Sequence, residues 1–176
     1  STSLFRTIFT ADIANHEIAI KMVLNKLVDP AIGVIKSLSD IAAIGHRVVH
    51  GAEKFSGSVL ITDAVIDALK ENIPLAPLHN PPNITGIEAV QKAMPGTPNV
   101  GVFDTSFHAT MPAESYIYAL PYEWYENYHV RRYGFHGTSH RFVSERAAQI
   151  LGVAKDQFNC ITCHMGNGSS FAAVKE

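Results

Sequence analysis

The chain has 176 residues, 47% of them apolar and 17% charged, with 14 Lys and Arg against 16 Asp and Glu for a net charge of −2. This length supports one full core and the start of another, and the near-balanced charge argues against a dedicated nucleic-acid or membrane-surface binder. No apolar run approaches the ~20 residues of a membrane helix, and a charge content below the usual quarter or so points to a surface covered by further protein.

Taken in chain order, the opening Ser1-Thr2-Ser3 lacks a methionine and no stretch reads as a signal peptide. The chain is therefore expected to be processed, engineered or cut from something longer. Ile13, Ile18, Met22 and Leu27 fall at helical spacing, predicting a helix over 13–28 that stops at Asp29-Pro30. The run Ile41 to Gly51 reads as a buried strand entering a loop. Thr62-Asp63 caps a short helix through Leu69. The proline-rich 73–82 excludes regular helix, and Asn83 caps a helix to Met94. Pro95-Gly96-Thr97-Pro98 is a turn. Asn99 to Phe103 is a strand ending at Asp104. Tyr116 to Val130 is aromatic-rich and irregular. Thr138 or Ser139 caps a helix through Leu151, stopped by Gly152. Phe158 to Cys163 is a buried strand that exits into His164-Met165-Gly166-Asn167-Gly168-Ser169-Ser170. Strands alternating with helices make the fold α/β with a largely parallel sheet. Arg47, Asp104 and Asn167 would all follow strands and line one crevice beyond the carboxyl ends.

The glycine stretch carries the strongest chemical signal. Small residues after a strand leave backbone N–H groups facing outward, a concave set of donors for phosphate oxygens, and Gly166 and Gly168 are free to take positive φ. An ordinary Gly-Asn-Gly hairpin turn fits equally, because Ser-Phe-Ala-Ala-Val after it looks like a second strand, and such a turn can itself hold phosphate. Arg47 can grip a carboxylate or phosphate with paired hydrogen bonds or form a structural ion pair. Asp104 can cap a helix, hold magnesium or orient an attacking group. His136, between glycines, and His79, in a rigid proline loop, can donate to developing negative charge. With nine histidines in the chain, any one can be structural.

Other chemistries fit less well. Cys160-Ile161-Thr162-Cys163-His164 matches the C-x-x-C-H pattern of covalent haem, but a strand would point the two thiols to opposite faces. Thioredoxin-like redox chemistry fails on the same geometry, leaving two small buried apolar residues. The pairs His46/His50 and His136/His140 have i,i+4 spacing but span glycine and lack the H-E-x-x-H pattern for zinc. Serine after glycine in 166–170 is not the G-x-S-x-G elbow of hydrolases. Two cysteines make no disulfide framework, so a reducing, cytoplasmic setting is expected.

GHRVVHG, LAPLHNPPN, GVFDTSFH, YGFHGTSH and HMGNGSS, in this order and spacing, resemble the acetate kinase family, and the likeness runs from Phe5 onward. The resemblance implies a ribonuclease-H-like α/β fold of the actin and sugar-kinase superfamily. It assigns 1–152 to most of an N-terminal acyl-substrate domain and 153–176 to the first strands of a second, nucleotide-binding domain. It implies reversible transfer of the ATP γ-phosphoryl to acetate, giving ADP and acetyl phosphate, with Mg2+. Carried over motif by motif, Arg47 would hold acetate and the phosphoryl in flight, Asp104 would act on acetate or its magnesium, and His136 would steady the transferring phosphoryl with support from His79. Val49, Leu78 and Phe135 would form the pocket for the acetate methyl. His164, Met165, Gly166, Asn167 and Gly168 would form the ATP phosphate loop. Some related propionate kinases carry a smaller residue at the position of Val49, so valine modestly favours acetate. The family's opening phosphate segment before Ser1 and most of its second domain after Glu176 are absent, with the adenosine site, the magnesium ligands and most of a homodimer interface. Met165 and Ser169 stand where Leu and Ala are commoner. The chain is thus expected to be less than half of the parent and inactive alone.

Overall fold

Residues 8–175 are described in a computed structural model of the chain; Ser1-Thr2-Ser3, Phe5 and Glu176 lie outside that range. The first helix, α1, spans His16–Leu27 rather than 13–28, because the Asn15 side chain accepts from the Ile18 N–H and fixes the start. Strand β1, Ile44–Val48, occupies the middle of the predicted apolar run, and Arg47 is its penultimate residue. A two-residue strand β2, Val59–Leu60, carried no alternation long enough to predict. Helix α2 covers Asp63–Glu71; Thr62 sits at its cap position without a side-chain cap bond.

Helix α3 covers Asn80–Ala93. The prolines that were expected to exclude helix through residue 82 instead lie in its first turn, where their missing N–H groups would have no helical partner anyway. Asn83 is therefore inside the helix, not its cap. Strand β3 is Asn99–Phe103, as expected. Two short helices, α4 (Ala113–Tyr116) and α5 (Glu123–Tyr128), break the segment expected to be irregular. Helix α6, Gly137–Leu151, begins before Thr138 and Ser139, with His136 at its cap position and Gly152 in the left-handed region at its end. A hairpin follows, β4 (Cys160–Met165) and β5 (Ser169–Val174).

The strands form two sheets, not one. In the first, the order is β1-β3-β2: β1 and β3 are parallel, with Arg47 opposite Val102, and β2 adds antiparallel. The β4–β5 hairpin is a separate antiparallel pair, with His164 opposite Ser170. The core lies between the first sheet and helices α2 and α3, where Val48, Ile66, Leu69, Ile84, Ile87 and Phe103 are buried together. Phe55 stacks flat on Phe103, ring centroids 4.5 Å apart. Helix α6 joins the two sheets, touching the turn after β3 at one end of its course and β4 along it.

β4 departs from the buried strand that its composition predicts. Ile161 is 75% and Met165 76% exposed, and Cys163 is exposed too. Thr162 is buried and His164 half-buried, so the polar face points inward. The two cysteines are accordingly not a buried apolar pair: Cys160 shares the inner face, Cys163 the outer, and both are free thiols. Burial pushes the Cys160 thiol up.

Candidate active site

The parallel pair β1–β3 places Arg47 and Asp104 side by side at neighbouring strand ends. Arg47 donates from Nε to Asp104 Oδ1 (3.0 Å) and from Nη2 to Oδ2 (2.7 Å), a two-pronged pair that raises the guanidinium's affinity for its proton. Asp104 is 1% exposed, whereas the Arg47 side chain is 63% exposed. The carboxylate thus aims a guanidinium that keeps further donors for an incoming anion.

Asp104 also holds His136. Its Oδ2 accepts from the His136 N–H (3.3 Å) and its carbonyl from the Gly137 N–H (3.0 Å). These bonds keep His136 in the left-handed region, φ 54°, which costs a side chain of this size conformational energy. Gly137 is needed because a Cβ there would lie 2.3 Å from the Asp104 carbonyl oxygen. The His136 ring stacks on His164, centroids 4.1 Å apart, and its Nδ1 is 2.9 Å from Ser170 Oγ. His164 Nδ1 meets Ser139 Oγ at 2.9 Å, so Ser139 serves the hairpin instead of capping α6. Burial and the neighbouring His164 shift the His136 pKa below the ordinary histidine value, partly offset by Asp104.

Gly166-Asn167-Gly168 is the hairpin turn, closed by the Gly166 N–H bonding to the Gly168 carbonyl (3.0 Å). Neither glycine uses the positive φ open to it. Gly168 lies against the His136 ring, where a Cβ would make ordinary van der Waals contact at 3.6 Å from His136 Cε1. His164 and Met165 belong to β4 rather than to a loop beyond it.

An open cleft of about 600 Å³ adjoins His136 and Ser170, walled by His50, Leu75, Tyr133 and Phe135. Burial holds the His50 pKa down at about 4 and pushes Tyr133 up to about 12. Tyr133 and Phe135 pack edge-on with His50, ring centroids 4.5 and 5.5 Å apart. Among the described residues, Val49 and Leu78 lie outside this lining, and Leu78 is 83% exposed. His79 is exposed at the start of α3. The proline loop serves the strand exit instead: Asn83 Oδ1 accepts from the Val49 N–H (3.0 Å), and Asn80 donates to the His50 carbonyl (3.2 Å).

Arg47, Asp104, His136, His164 and Gly168 therefore form one contiguous group, while Leu78 and His79 stand apart. Sequence reasoning missed His50, Tyr133, Asn83, His140, Thr162 and Ser170. For the last three the signals were present: i,i+4 spacing from His136 for His140, alternation with His164 along β4 for Thr162, and the close of the glycine stretch for Ser170. The zinc pairs do not assemble. Among the described residues no three His, Cys, Asp or Glu side chains gather to hold a metal, and His46 Nε2 is tied to Asn99 Oδ1 (2.7 Å).

Fold and cluster together define a mixed α/β domain that gathers an aimed arginine, a buried aspartate and two stacked histidines where two strand ends, the start of α6 and the hairpin meet. A family model described as the Acetokinase family matches residues 6–176, and the chain belongs to that family. It is 61% identical over 171 residues to an acetate kinase of Desulfitobacterium hafniense strain Y51, covering 97% of this chain and 43% of that protein. The fold matches a crystal structure of Porphyromonas gingivalis acetate kinase (TM-score 0.87, 55% identity, 94% of this chain and 41% of that one). It also matches a propionate kinase from Francisella tularensis (TM-score 0.83, 47% identity, 90% and 39%). The chain thus carries part of the actin and sugar-kinase fold and spans about two fifths of the relatives it matches.

Proposed function

We propose that the complete protein moves the γ-phosphoryl of ATP to the carboxylate of acetate, reversibly, by in-line transfer. The observation that carries this reading is the continuity of Arg47, Asp104 and His136 with the glycine hairpin. Phosphoryl transfer asks a protein mainly for positioning and charge stabilisation. Arg47 clamps the acetate carboxylate and the phosphoryl in flight. Asp104 aims Arg47 and fixes the His136 backbone. His136 donates to the phosphoryl oxygens, and the 164–168 hairpin lies along the ATP phosphates. The first domain, 1–152, then contributes the acyl side and 153–176 begins the nucleotide side. The parent is read as a cytoplasmic homodimer, and among the described residues no helix is long and apolar enough to cross a membrane.

Magnesium is expected to accompany ATP, but Asp104 does not fit it here: the carboxylate is buried and both oxygens already serve Arg47 and the His136 N–H. No step through the metal is assigned to these residues. The likeness to a propionate kinase supports a second reading, a related short-chain acyl kinase. A closed apolar wall discriminates by only about 1–3 kcal/mol per methylene.

The test is an acetyl phosphate assay on the complete protein with acetate, propionate and butyrate. Acetate is expected to give the highest kcat/KM, and faster propionate turnover selects the second reading. Arg47→Ala is expected to raise the KM for acetate and to cut turnover about 10²- to 10³-fold; an unaffected variant removes Arg47 from the mechanism. The chain of 176 residues alone is expected to show no turnover.

A further inference from the structure

Behind His136 lies a line of polar groups on three elements, to which the motifs assigned no role. Ser170 Oγ, on β5, stands 2.9 Å from His136 Nδ1 and 2.8 Å from His140 Nε2. His140, on α6, is 1% exposed, and its Nδ1 stands 2.7 Å from Thr162 Oγ1 on β4. Thr162 Oγ1 reaches the Ala172 carbonyl at 3.4 Å. Burying polar groups such as His140 and Thr162 is costly unless each finds its partner, and here both nitrogens of His140 and the hydroxyls of Thr162 and Ser170 have one.

We propose that Thr162, His140 and Ser170 are positioning residues that hold the His136 ring and fix its proton on Nδ1, so that Nε2 is the nitrogen offered at the glycine hairpin. The argument is an accounting of protons. Each hydroxyl has one proton to give. Ser170 lies between two imidazole nitrogens, so it gives to one and receives from the other. Thr162 has the Ala172 carbonyl as an outlet for its own proton, and so receives from His140 Nδ1–H. Burial and the nearby His108, His164 and His136 lower the pKa of His140 and keep it neutral. Its bare Nε2 then takes the Ser170 proton. Ser170 is left to accept from His136 Nδ1–H, and the whole line donates in one direction, ending on a backbone carbonyl.

This fixes what His136 can do. A second proton at Nε2 makes an imidazolium that keeps its bond to Ser170 and donates toward the hairpin. The titratable and charged groups around it are Asp104 and Arg47 at the strand ends, His108 after β3 and His164 on β4, with His140 on α6 beyond Ser170. Asp104 favours the imidazolium and the cationic groups oppose it. A bound phosphoryl group would add the missing negative charge. That last step rests on the proposed phosphotransfer; the tautomer does not.

The experiment reads the tautomer directly, by imidazole ¹⁵N shifts of histidine-labelled protein at pH 8. His136 is expected as the Nδ1–H form and His140 likewise. Ser170→Ala is expected to release His136 into a mixture of forms while His164, bonded to Ser139, keeps its shifts. Ser170→Thr, which retains the hydroxyl, is expected to restore the Nδ1–H form. If Ser170→Ala does not fold, Thr162→Val removes the far end of the line and is expected to move His140 and His136 together. An Nε2–H His136 in the unsubstituted protein, or shifts unmoved by both Ser170→Ala and Thr162→Val, overturns the proposal. In the complete protein Ser170→Ala is expected to lower kcat about tenfold with the KM for acetate little changed, and to move the alkaline limb of the pH profile to lower pH. Loss of acetate phosphorylation with the tautomer intact would indict the functional reading alone.

Discussion

The two sheets of this molecule solve the problem of polar and apolar residues in opposite ways. In β1–β3–β2 the central apolar side chains go inward: Phe103 and Val48 pack with Leu69 of α2 and Ile87 of α3, and all four are almost wholly removed from water. In β4–β5 the large apolar side chains Ile161, Met165 and Phe171 go outward, Phe171 being 68% exposed, and the inward face carries Thr162, His164 and Ser170, with Val174 buried at its end. The first region is held by burial, which at about 25 cal/mol per Å² rewards any well-fitting apolar shape. The second is held to α6 largely by directed hydrogen bonds, which reward one geometry and leave little in reserve. A site that must position a phosphoryl group within tenths of an ångström benefits from the second kind of order. It is set on the first kind through Asp104, whose strand belongs to the packed sheet and whose carboxylate reaches Arg47 and His136.

If this contrast is right, substitutions should cost very different amounts in the two regions. Phe103→Ala empties the centre of the packed sheet, where Phe55 stacks on the ring. It is expected to cost about 3–5 kcal/mol in urea unfolding, and a loss under 1 kcal/mol would break the comparison at its stronger end. Next in size is acid. His50 is held neutral in the folded state down to about pH 4 by burial, whereas an unfolded histidine titrates near 6.5. Above about 6.5 both states are neutral there and stability is unaffected. As pH falls from 6.5 toward 4 the unfolded chain takes the proton and the folded chain does not, so stability drops. The loss is on the order of 2–3 kcal/mol by pH 4, with His136 and His140 acting in the same direction. His50→Gln is expected to flatten that slope, and an unchanged slope would place the acid sensitivity elsewhere.

How far the site was legible follows the same division. Arg47 and Asp104 could be read because each stands at or near the end of an apolar run, and parallel neighbours bring such ends together without further information. The Gly166-Asn167-Gly168 turn was visible for a similar local reason. The grip on His136 was not, because Asp104 lies 32 residues before it and Ser170 34 residues after it. Pro81-Pro82 misled because proline's exclusion from helix interiors says nothing against a first turn. Leu78 and His79 share a motif with Asn80 and Asn83, yet the structure uses the two asparagines at the strand exit and leaves the other two exposed. The orientation of β4 was beyond reach, since alternation shows that a strand has two unlike faces but not which one is covered.

That ambiguity gives the smallest predicted effect. Phe171→Ser removes a large aromatic side chain, as Phe103→Ala does, but from the outward face of the hairpin. Nothing among the described residues requires the ring, so the substitution is expected to change the stability of this chain by no more than about 0.5 kcal/mol. A larger loss would mean that the outward face is already packed in solution, and the division between the two sheets would fall. The same substitution sharpens the comparison in the complete protein, which is expected to place further chain over this face. There the cost should rise to about 2 kcal/mol or more, the ordinary range for a buried aromatic. Equal costs in the short and complete chains would leave the Ile161, Cys163, Met165 and Phe171 face bare in both. The inward turn of Thr162, His164 and Ser170 would then be owed to the hydrogen bonds alone, not to competition between two coverable faces.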